Sequence, residues 1–285
     1  MQAFNFGFVS IVVYSFTQFA QAIGILSKEL ADGMIICSCL PITVNMVVIM
    51  TTSCGGDEGA AVFNAACSNL VSIFLSPLLI LGYLGVSSDV NVLNTFIKLI
   101  LRVVVPLFVG QIIRKTSNNV VAFVKGHKKK FKKVQELSLI YLVYTVFCRT
   151  FMNEPISNIT DVLLMILYQF ILLSFLMTVA WISLKVCFSS DPSLRVMGLF
   201  GCSFKTVAIG IPLIGSMYEN NPNVGLYTLP LLVWHPMQLV ISSALVPRLR
   251  NFMQSETDKV IIGRTQIMNE SSNDVEASES IQEND

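Results

Sequence analysis

Lys205 is the residue with the clearest chemical potential, because it lies in the middle of an apolar segment that runs from 194 to 217. A charge at the centre of a membrane-spanning helix costs at least ~2.5–3.5 kcal/mol and therefore needs a partner or a function. Ser203 and Thr206 flank the lysine, and the segment contains no Asp or Glu. Two interpretations stay open: a structural ammonium held by backbone carbonyls, or a fixed cation at a transport site that can also exchange a proton.

Other polar side chains occur in segments that are otherwise apolar. Thr43 and Asn45 lie in the second apolar segment, and Asn64, Ser68 and Asn69 lie in the third. Asn64 and Ser68 are four residues apart and so share one helix face. The oxygens of this set are suited to a cation or to the hydroxyls of a solute. Small polar residues also join membrane helices by hydrogen bonds, and that alternative stays open.

Three secondary candidates for the same site are Gln18 in the first apolar segment and His235 and Gln238 in the last. His235 directly precedes Pro236. It is therefore either a packing residue at a helix kink or a proton relay.

Patterns typical of catalysis or metal binding are missing from the sequence. It has no HExxH, GxSxG or P-loop motif. Cys37 and Cys39 form a CxC pair without a partner cluster, so no metal site is predicted, and the seven cysteines are expected to be free thiols. We predict no enzymatic activity and no cofactor other than Na+ or H+ as a coupling ion.

Composition predicts an all-α membrane protein. Of 285 residues, 53% are apolar and 13% are charged, whereas soluble domains carry about 25% charged residues. The net charge of +1 gives no indication of a nucleic-acid partner. A spanning helix needs about 20 apolar residues. Eight segments meet this requirement: 4–26, 33–52, 58–84, 95–114, 134–152, 161–187, 194–217 and 224–248.

The distribution of basic residues predicts the orientation of the chain. The loop 114–133 contains Arg114, Lys115, Lys125, Lys128, Lys129, Lys130, Lys132 and Lys133. Basic loops of this length stay in the cytoplasm, so both termini are predicted to be cytoplasmic and the loop 153–160, with a glycosylation sequon at Asn158, is predicted to lie outside. The basic loop either only sets topology or also binds anionic lipids. The acidic segment 251–285 is predicted to be a disordered cytoplasmic tail.

An internal repeat links the two segments that carry most of these polar residues. In each, a helix interrupted by Gly, Pro and polar residues (33–52 and 194–217) precedes an intact helix, and the count of spans gives the two copies opposite orientation. Inverted repeats with broken helices in matching places indicate a transporter site, because freed backbone groups at mid-bilayer must line a cavity or a ligand. The chain is predicted to divide into 1–94, the remainder of the first repeat, 95–250, the second repeat, and the tail.

The same stretches resemble the bile acid/sodium symporter superfamily, and most closely its sodium/bile acid cotransporter 7 branch. The resemblance covers nearly all of residues 1–250. The motifs that carry it are CLP at 39–41, GGDEGAAVFN at 55–64, VPLFVGQIIR at 105–114, KTVAIGIP at 205–212 and LPLLVWHPMQ at 229–238.

The resemblance implies a ten-helix fold of two inverted five-helix repeats, divided into a core and a panel. Its fourth and ninth helices break and cross in the core, where sodium binds in the sodium-coupled members. The chain matches from the family's third helix onward, so eight spans are expected. Phe200 stands about where sodium-coupled relatives carry an acidic residue. Together with Lys205, this implies coupling that differs from symport with two sodium ions.

Two functions follow as expectations. The first is a secondary carrier of a small solute or organic anion, and bile acids are not predicted as its substrate because Lys205 and Phe200 change the centre. The second is a non-transporting regulator with a membrane-protein partner, acting in calcium entry or the secretory pathway, since the resemblance implies a link to calcium homeostasis. The plasma membrane, endoplasmic reticulum and Golgi all fit a lipid-embedded protein of this kind.

Overall fold

The computed structural model describes residues 1–85, 97, 101, 105–153, 159–218 and 223–282, and within these ranges the regular elements are helices. The predicted all-α fold is therefore confirmed for this part of the chain. In chain order the elements are a π-helical segment Ala3–Phe8 that continues as α1 (Val9–Ala22), then α2 (Lys28–Ser38), α3 (Val44–Ser53), α4 (Glu58–Leu84), α5 (Val105–Thr116), α6 (Asn118–Gly126), α7 (Lys128–Asn153), α8 (Ile159–Cys187), α9 (Pro192–Ser203), α10 (Val207–Met217) and α11 (Val224–Gln282).

Five stretches of the described residues are long and apolar enough to cross a membrane: Ala3–Ala22, Glu58–Leu84, Ile159–Cys187, Pro192–Gly215 and Val224–Lys259. The predicted span 33–52 is occupied by α2 and α3, which are each too short to cross alone. The predicted span 134–152 lies within α7. Most of the predicted span 95–114, and the sequon at Asn158, lie outside the described residues.

Two helix breaks occur in matching places of the chain, the first between α2 and α3 and the second between α9 and α10. Pro41 explains the first break, because its ring disfavours helical geometry at Leu40 and its nitrogen donates no hydrogen bond. The second break contains no proline. There Phe204 and Thr206 have extended backbones, with φ/ψ of −82/142° and −97/128°. Since no proline opens the helix at residues 204–206, the break there depends on tertiary contacts.

The second broken helix forms the centre of the molecule. In the apolar window of Pro192–Gly215, 83% of the residues are buried, against 33% in the windows of α4 and α8. The exposed side chains on α4 and α8 are largely apolar, as for Phe63 and Ile171. These two helices therefore turn one face to the core and another to lipid.

The last helix differs from the sequence expectation, because α11 continues to Gln282 where a disordered tail was predicted. The composition of the acidic end excludes a packed core of its own, because too few apolar residues are present. It does not exclude a solvent-exposed helix. An extension of an existing helix needs no new nucleus, however. Residues beyond Pro247 contain no further proline, and Lys259 pairs with Glu256 at 2.9 Å one turn away. A polar helix is thus compatible with the same composition.

Candidate solute and ion site at the helix crossing

The two helix breaks contact each other through a reciprocal pair of hydrogen bonds. Thr43 Oγ1 donates to the carbonyl of Lys205 at 2.7 Å, and the backbone N–H of Thr206 donates to the carbonyl of Pro41 at 2.9 Å. Each break thus supplies a donor to a backbone carbonyl that the other exposes. The breaks form one crossing, as expected for paired interrupted helices.

The side chain of Lys205 lies inside this crossing and is completely buried. Its ammonium donates to Ser38 O at 2.6 Å, Asn5 Oδ1 at 2.7 Å, Leu40 O at 3.1 Å and Asn5 O at 3.3 Å. The ring of Phe6 lies 5.9 Å from the same nitrogen. All four acceptors are neutral oxygens, so the charge is solvated without a carboxylate.

The position of the ammonium at the end of α2 explains how a buried charge is tolerated. The last carbonyls of a helix have no intrahelical partner and form the negative end of its dipole. Ser38 is the last residue of α2, and Leu40 follows in the break. Lys205 therefore caps a helix C-terminus from another part of the chain.

Phe200, one turn before the break, is fully buried and its ring centre lies 5.7 Å from that of Phe204.

Side chains of α4 satisfy three of the backbone groups that the first break frees. Ser68 Oγ accepts from the N–H of Ile42 at 3.3 Å, and Asn69 Nδ2 donates to the carbonyl of the same residue at 3.2 Å. Ser76 Oγ donates to the carbonyl of Cys39 at 2.6 Å. Because an unpaired buried backbone group costs about 1–3 kcal/mol, these contacts stabilise the open backbone.

Gln238 of α11 plays the corresponding part at the second break. Its Oε1 accepts from the N–H of Lys205 at 2.9 Å, and its Nε2 donates to the carbonyl of Lys205 at 3.2 Å. The same Nε2 lies 3.0 Å from His235 Nδ1. His235 thus contacts the side-chain amide of Gln238, which in turn bonds to the backbone of Lys205.

Further polar side chains on the first helix and on α4 lie close to α9, and one of them, Asn5, accepts a hydrogen bond from the ammonium. Gln2 Nε2 donates to both the carbonyl and Oδ1 of Asn64 at 2.9 Å. Gln2 Oε1, Asn5 Nδ2 and Asn64 Nδ2 are buried without a partner. A Cβ at residue 201 would lie 2.6 Å from Asn64 Nδ2, so the absence of a side chain at Gly201 leaves room for the amide of Asn64. Unpaired buried amides next to a cation are suited to binding a polar ligand or water.

The predicted site residues divide into those that meet at the crossing and those that do not. Around the crossing lie Thr43, Ser68, Asn69, Lys205, Thr206, His235 and Gln238. Asn64 instead accepts from Gln2 on the first helix and lies against Gly201 of α9. Asn45 is exposed, and among the described residues Ser203 Oγ donates to Leu199 O of its own helix, at 2.7 Å. Gln18 is 13 residues beyond Asn5, or about 20 Å along a helix, and it has no hydrogen bond to the crossing within the described part of the chain.

Three contributors were missed by sequence reasoning, namely Gln2, Asn5 and Ser76. Gln2 precedes the apolar segment 4–26, and Asn5 is a single polar residue near the start of that segment. Its partner is 200 positions away, which no local pattern reveals. The π-helical geometry of Ala3–Phe8 is a further sign, since π-helical turns often mark functional sites.

Within the described residues no three His, Cys, Asp or Glu side chains are grouped so that they could hold a metal ion. What converges is a set of neutral oxygens around a fixed cation. An all-helical membrane protein with such a crossing of two broken helices has the architecture of a secondary transporter.

Comparison with known proteins identifies the family. The chain belongs to the SBF-like CPA transporter family, whose model matches residues 1–251. It is 31% identical over 266 residues to sodium/bile acid cotransporter 7 of Rattus norvegicus, covering 93% of this chain and 77% of that protein. The Xenopus tropicalis protein of the same name is 32% identical over 257 residues, with coverage of 90% and 74%. The putative symporter YfeH of Escherichia coli is 27% identical over 222 residues, with coverage of 77% and 65%.

Proposed function

We propose that this protein is a secondary carrier for a small anionic solute, in which the Lys205 ammonium supplies the positive charge that a sodium ion supplies in sodium-coupled relatives. The observation that carries the proposal is the set of four oxygens around the buried ammonium, at 2.6 to 3.3 Å. Backbone carbonyls at the ends of broken helices are the groups that coordinate sodium in transporters of this kind.

A sodium ion and the ammonium exclude each other at this position. Two unit positive charges 4 Å apart repel by about 4 kcal/mol at an effective dielectric constant of 20. The oxygens that would favour sodium are already used by Lys205. We therefore expect transport that does not require sodium at this position, and a proton gradient is the first alternative driving force to test.

The electrostatics of the crossing favour an anion as the solute. α3 and α10 both begin at the crossing, and neither Thr43 nor Thr206 caps its helix with a side-chain hydrogen bond. Helix N-termini carry partial positive charge. Among the described residues, no carboxylate contacts the ammonium of Lys205. The two helix N-termini and Lys205 therefore give the centre of the crossing a net positive character. The name of the cotransporter 7 relatives includes bile acid, so a bile acid is a useful probe of transport, although it is not the expected substrate.

A non-transporting regulator is the second candidate, and one observation favours it. Lys205 is fully buried and is tied to the first helix, to α2 and to the first break at once. A crossing fixed on all sides favours a static scaffold over one that alternates between two conformations. In that case the protein acts through a membrane partner, and an effect on cellular calcium is one expected readout.

Flux measurements in sealed proteoliposomes separate the two candidates. Wild type, Lys205→Ala and the surface control Lys259→Ala are tested with a panel of radiolabelled organic anions that includes a bile acid. The gradients imposed are sodium, proton, calcium or none. Uptake by wild type that is equal in sodium and choline buffers, that is lost in Lys205→Ala in choline buffer and that is retained in Lys259→Ala supports the carrier. Uptake that depends strictly on sodium in wild type contradicts the role given to Lys205. If correctly folded protein transports none of the anions, the result supports the non-transporting regulator.

A further inference from the structure

A cleft of about 480 Å³ lies away from the crossing, between α8 and the middle of α11, with Leu199 of α9 among its lining residues. Its walls are mainly apolar and include Met177, Trp181, Leu245 and Phe252. Ligand sites in proteins typically have volumes of about 300–1,000 Å³ and apolar walls with a few polar groups. The cleft has these properties, and the transport site does not use it.

One end of the cleft is positively charged. Arg248 lines it, and the guanidinium of Arg195 lies 5.1 Å from the ring centre of Phe252, which lines it too. Arg195 is only 8% exposed and its Nε has no hydrogen-bond partner. Lys185 lies one turn beyond Trp181 on α8 and is exposed. The ring of Phe252 meets that of Trp181 edge-on, with centres 5.5 Å apart, so the aromatic and cationic groups form one cluster.

Among the described residues, the acidic side chains at this end form no ion pair with these cations. Asp191 accepts the backbone N–H of Leu194 at 3.1 Å and so caps α9. Glu256 interacts electrostatically with Arg195 but forms its ion pair with Lys259, at 2.9 Å. Among the described residues, neither Arg195 nor Arg248 has a carboxylate within ion-pair distance. The cleft therefore joins apolar walls to unpaired guanidinium groups.

We infer that this cleft binds an anionic phospholipid, with an acyl chain along its walls and the headgroup phosphate at Arg248 and Arg195. A lipid is favoured over a soluble anion because the adjoining surface is itself apolar. Ile182 on α8 is 58% exposed and Val240 on α11 is 69% exposed, next to the lining residues Trp181 and Ile241. A ligand thus enters from the bilayer, and guanidinium forks match phosphate oxygens in geometry and charge.

The two tryptophans of the chain make the inference directly measurable. Trp181 lines the cleft, whereas Trp234 is buried elsewhere, 4% exposed. The full chain carrying Trp234→Phe is reconstituted into nanodiscs that contain a small fraction of lipid with brominated acyl chains, which quench tryptophan at short range. Brominated phosphatidylglycerol is compared with brominated phosphatidylcholine at equal fractions. We expect stronger quenching of Trp181 by phosphatidylglycerol.

Two arginines on α11 provide a matched pair of variants. Arg248→Gln removes a cation from the cleft, whereas Arg250→Gln removes one whose guanidinium donates to Ser53 O at 2.8 Å, on α3. Arg248→Gln should lower the preference for phosphatidylglycerol by about fivefold, the contribution of one surface cation, and Arg250→Gln should leave it nearly unchanged. Arg195→Gln is the second variant and should act like Arg248→Gln.

Three results would overturn the inference. Equal quenching by the two lipids would remove the headgroup preference. Equal losses in Arg248→Gln and Arg250→Gln would reduce the effect to general surface charge. Absence of quenching by either lipid would mean that the cleft is closed to the bilayer. The measurement contains no transported solute, so failure of the proposed transport function would not affect it.

Discussion

The ammonium of Lys205 lies where three backbone carbonyls and one amide oxygen converge, at distances of 2.6 to 3.3 Å. Such a cluster of oxygens would be unfavourable if it were empty, because several acceptors would be buried without donors. The lysine and its oxygens therefore depend on each other. A variant without the ammonium must recruit another cation or water, or lose stability.

Lys205→Ala should convert the crossing into a sodium-responsive site. Removal of the side chain leaves the oxygens of Asn5, Ser38 and Leu40 around a vacated volume, and carbonyls at broken helices bind sodium. Ligand binding to the native state alone stabilises it by about 2.7 kcal/mol at 100 times Kd. The melting temperature of purified Lys205→Ala should rise by several degrees when choline chloride is replaced by sodium chloride, whereas wild type should not respond.

Lys205→Met is the matched control for that experiment. Methionine retains most of the length of the lysine but carries no charge, so it fills the volume and leaves the oxygens unpaired. We expect it to be less stable than wild type in every salt and insensitive to sodium. A sodium response in wild type, or none in a folded Lys205→Ala protein, would contradict the assignment of these oxygens as a cation cage.

Gln238 should be a stability residue for the second break. Its amide pairs with both the N–H and the carbonyl of Lys205. Gln238→Leu leaves two buried backbone groups without these partners, at about 1–3 kcal/mol each. Thermal unfolding in detergent should show a large loss of stability. Gln254→Leu, an exposed change on the same helix, should have little effect, and an equal loss in both variants would show that the amide pairing is unimportant.

At the scale of helices, the contact between α2 and α11 depends on a glycine. A Cβ at Gly33 would lie 2.4 Å from the carbonyl oxygen of Tyr227 and 2.9 Å from Cγ of Pro230. The first of these atoms belongs to the backbone and cannot move alone. The absence of a side chain at Gly33 therefore sets how closely α2, with its carbonyl end at the crossing, approaches α11.

Gly33→Ala should push these helices apart and destabilise the protein by about 1–3 kcal/mol or more, as overpacking does. Gly82→Ala in α4 is the control, because nothing lies within 4 Å of its added Cβ. That change should be neutral or stabilising, since alanine is the better helix former by about 0.8–1.0 kcal/mol. The unfolding midpoints of the two variants in the same detergent test the contrast. Similar losses in both would contradict close packing at Gly33.

The breaks themselves were predictable, and their supports were not. Pro41, the Gly-rich stretches and Lys205 stand out in apolar segments, so sequence alone indicated two interrupted helices and a central charge. The residues that hold the breaks open are serines, asparagines and glutamines. Such residues look the same whether they bind a ligand, bridge helices or satisfy a backbone. Only distances distinguish Ser68, which accepts from Ile42, from Ser203, which bonds within its own helix.

At the scale of the whole molecule, two sequons provide a strict test of topology. Asn158-Ile159-Thr160 and Asn269-Glu270-Ser271 both fit the N-glycosylation pattern. Between them lie three stretches long enough to span a membrane, those of α8, of α9 with α10, and of α11. An odd number of crossings places the two asparagines on opposite sides of the bilayer. Only one of them can therefore meet the lumenal glycosylation enzyme.

The basic loop 114–133 decides which of the two is modified. Its Lys and Arg residues predict a cytoplasmic position, and one span, 134–152, separates it from Asn158. We therefore expect Asn158→Gln to abolish the mobility shift that an endoglycosidase removes, and Asn269→Gln to leave it unchanged. The opposite result would place the basic loop and both termini outside the cytoplasm. Loss of part of the shift in each variant would mean that one of the three stretches does not cross the membrane. The two repeats would then not have opposite orientations, and the crossing at Lys205 depends on that arrangement.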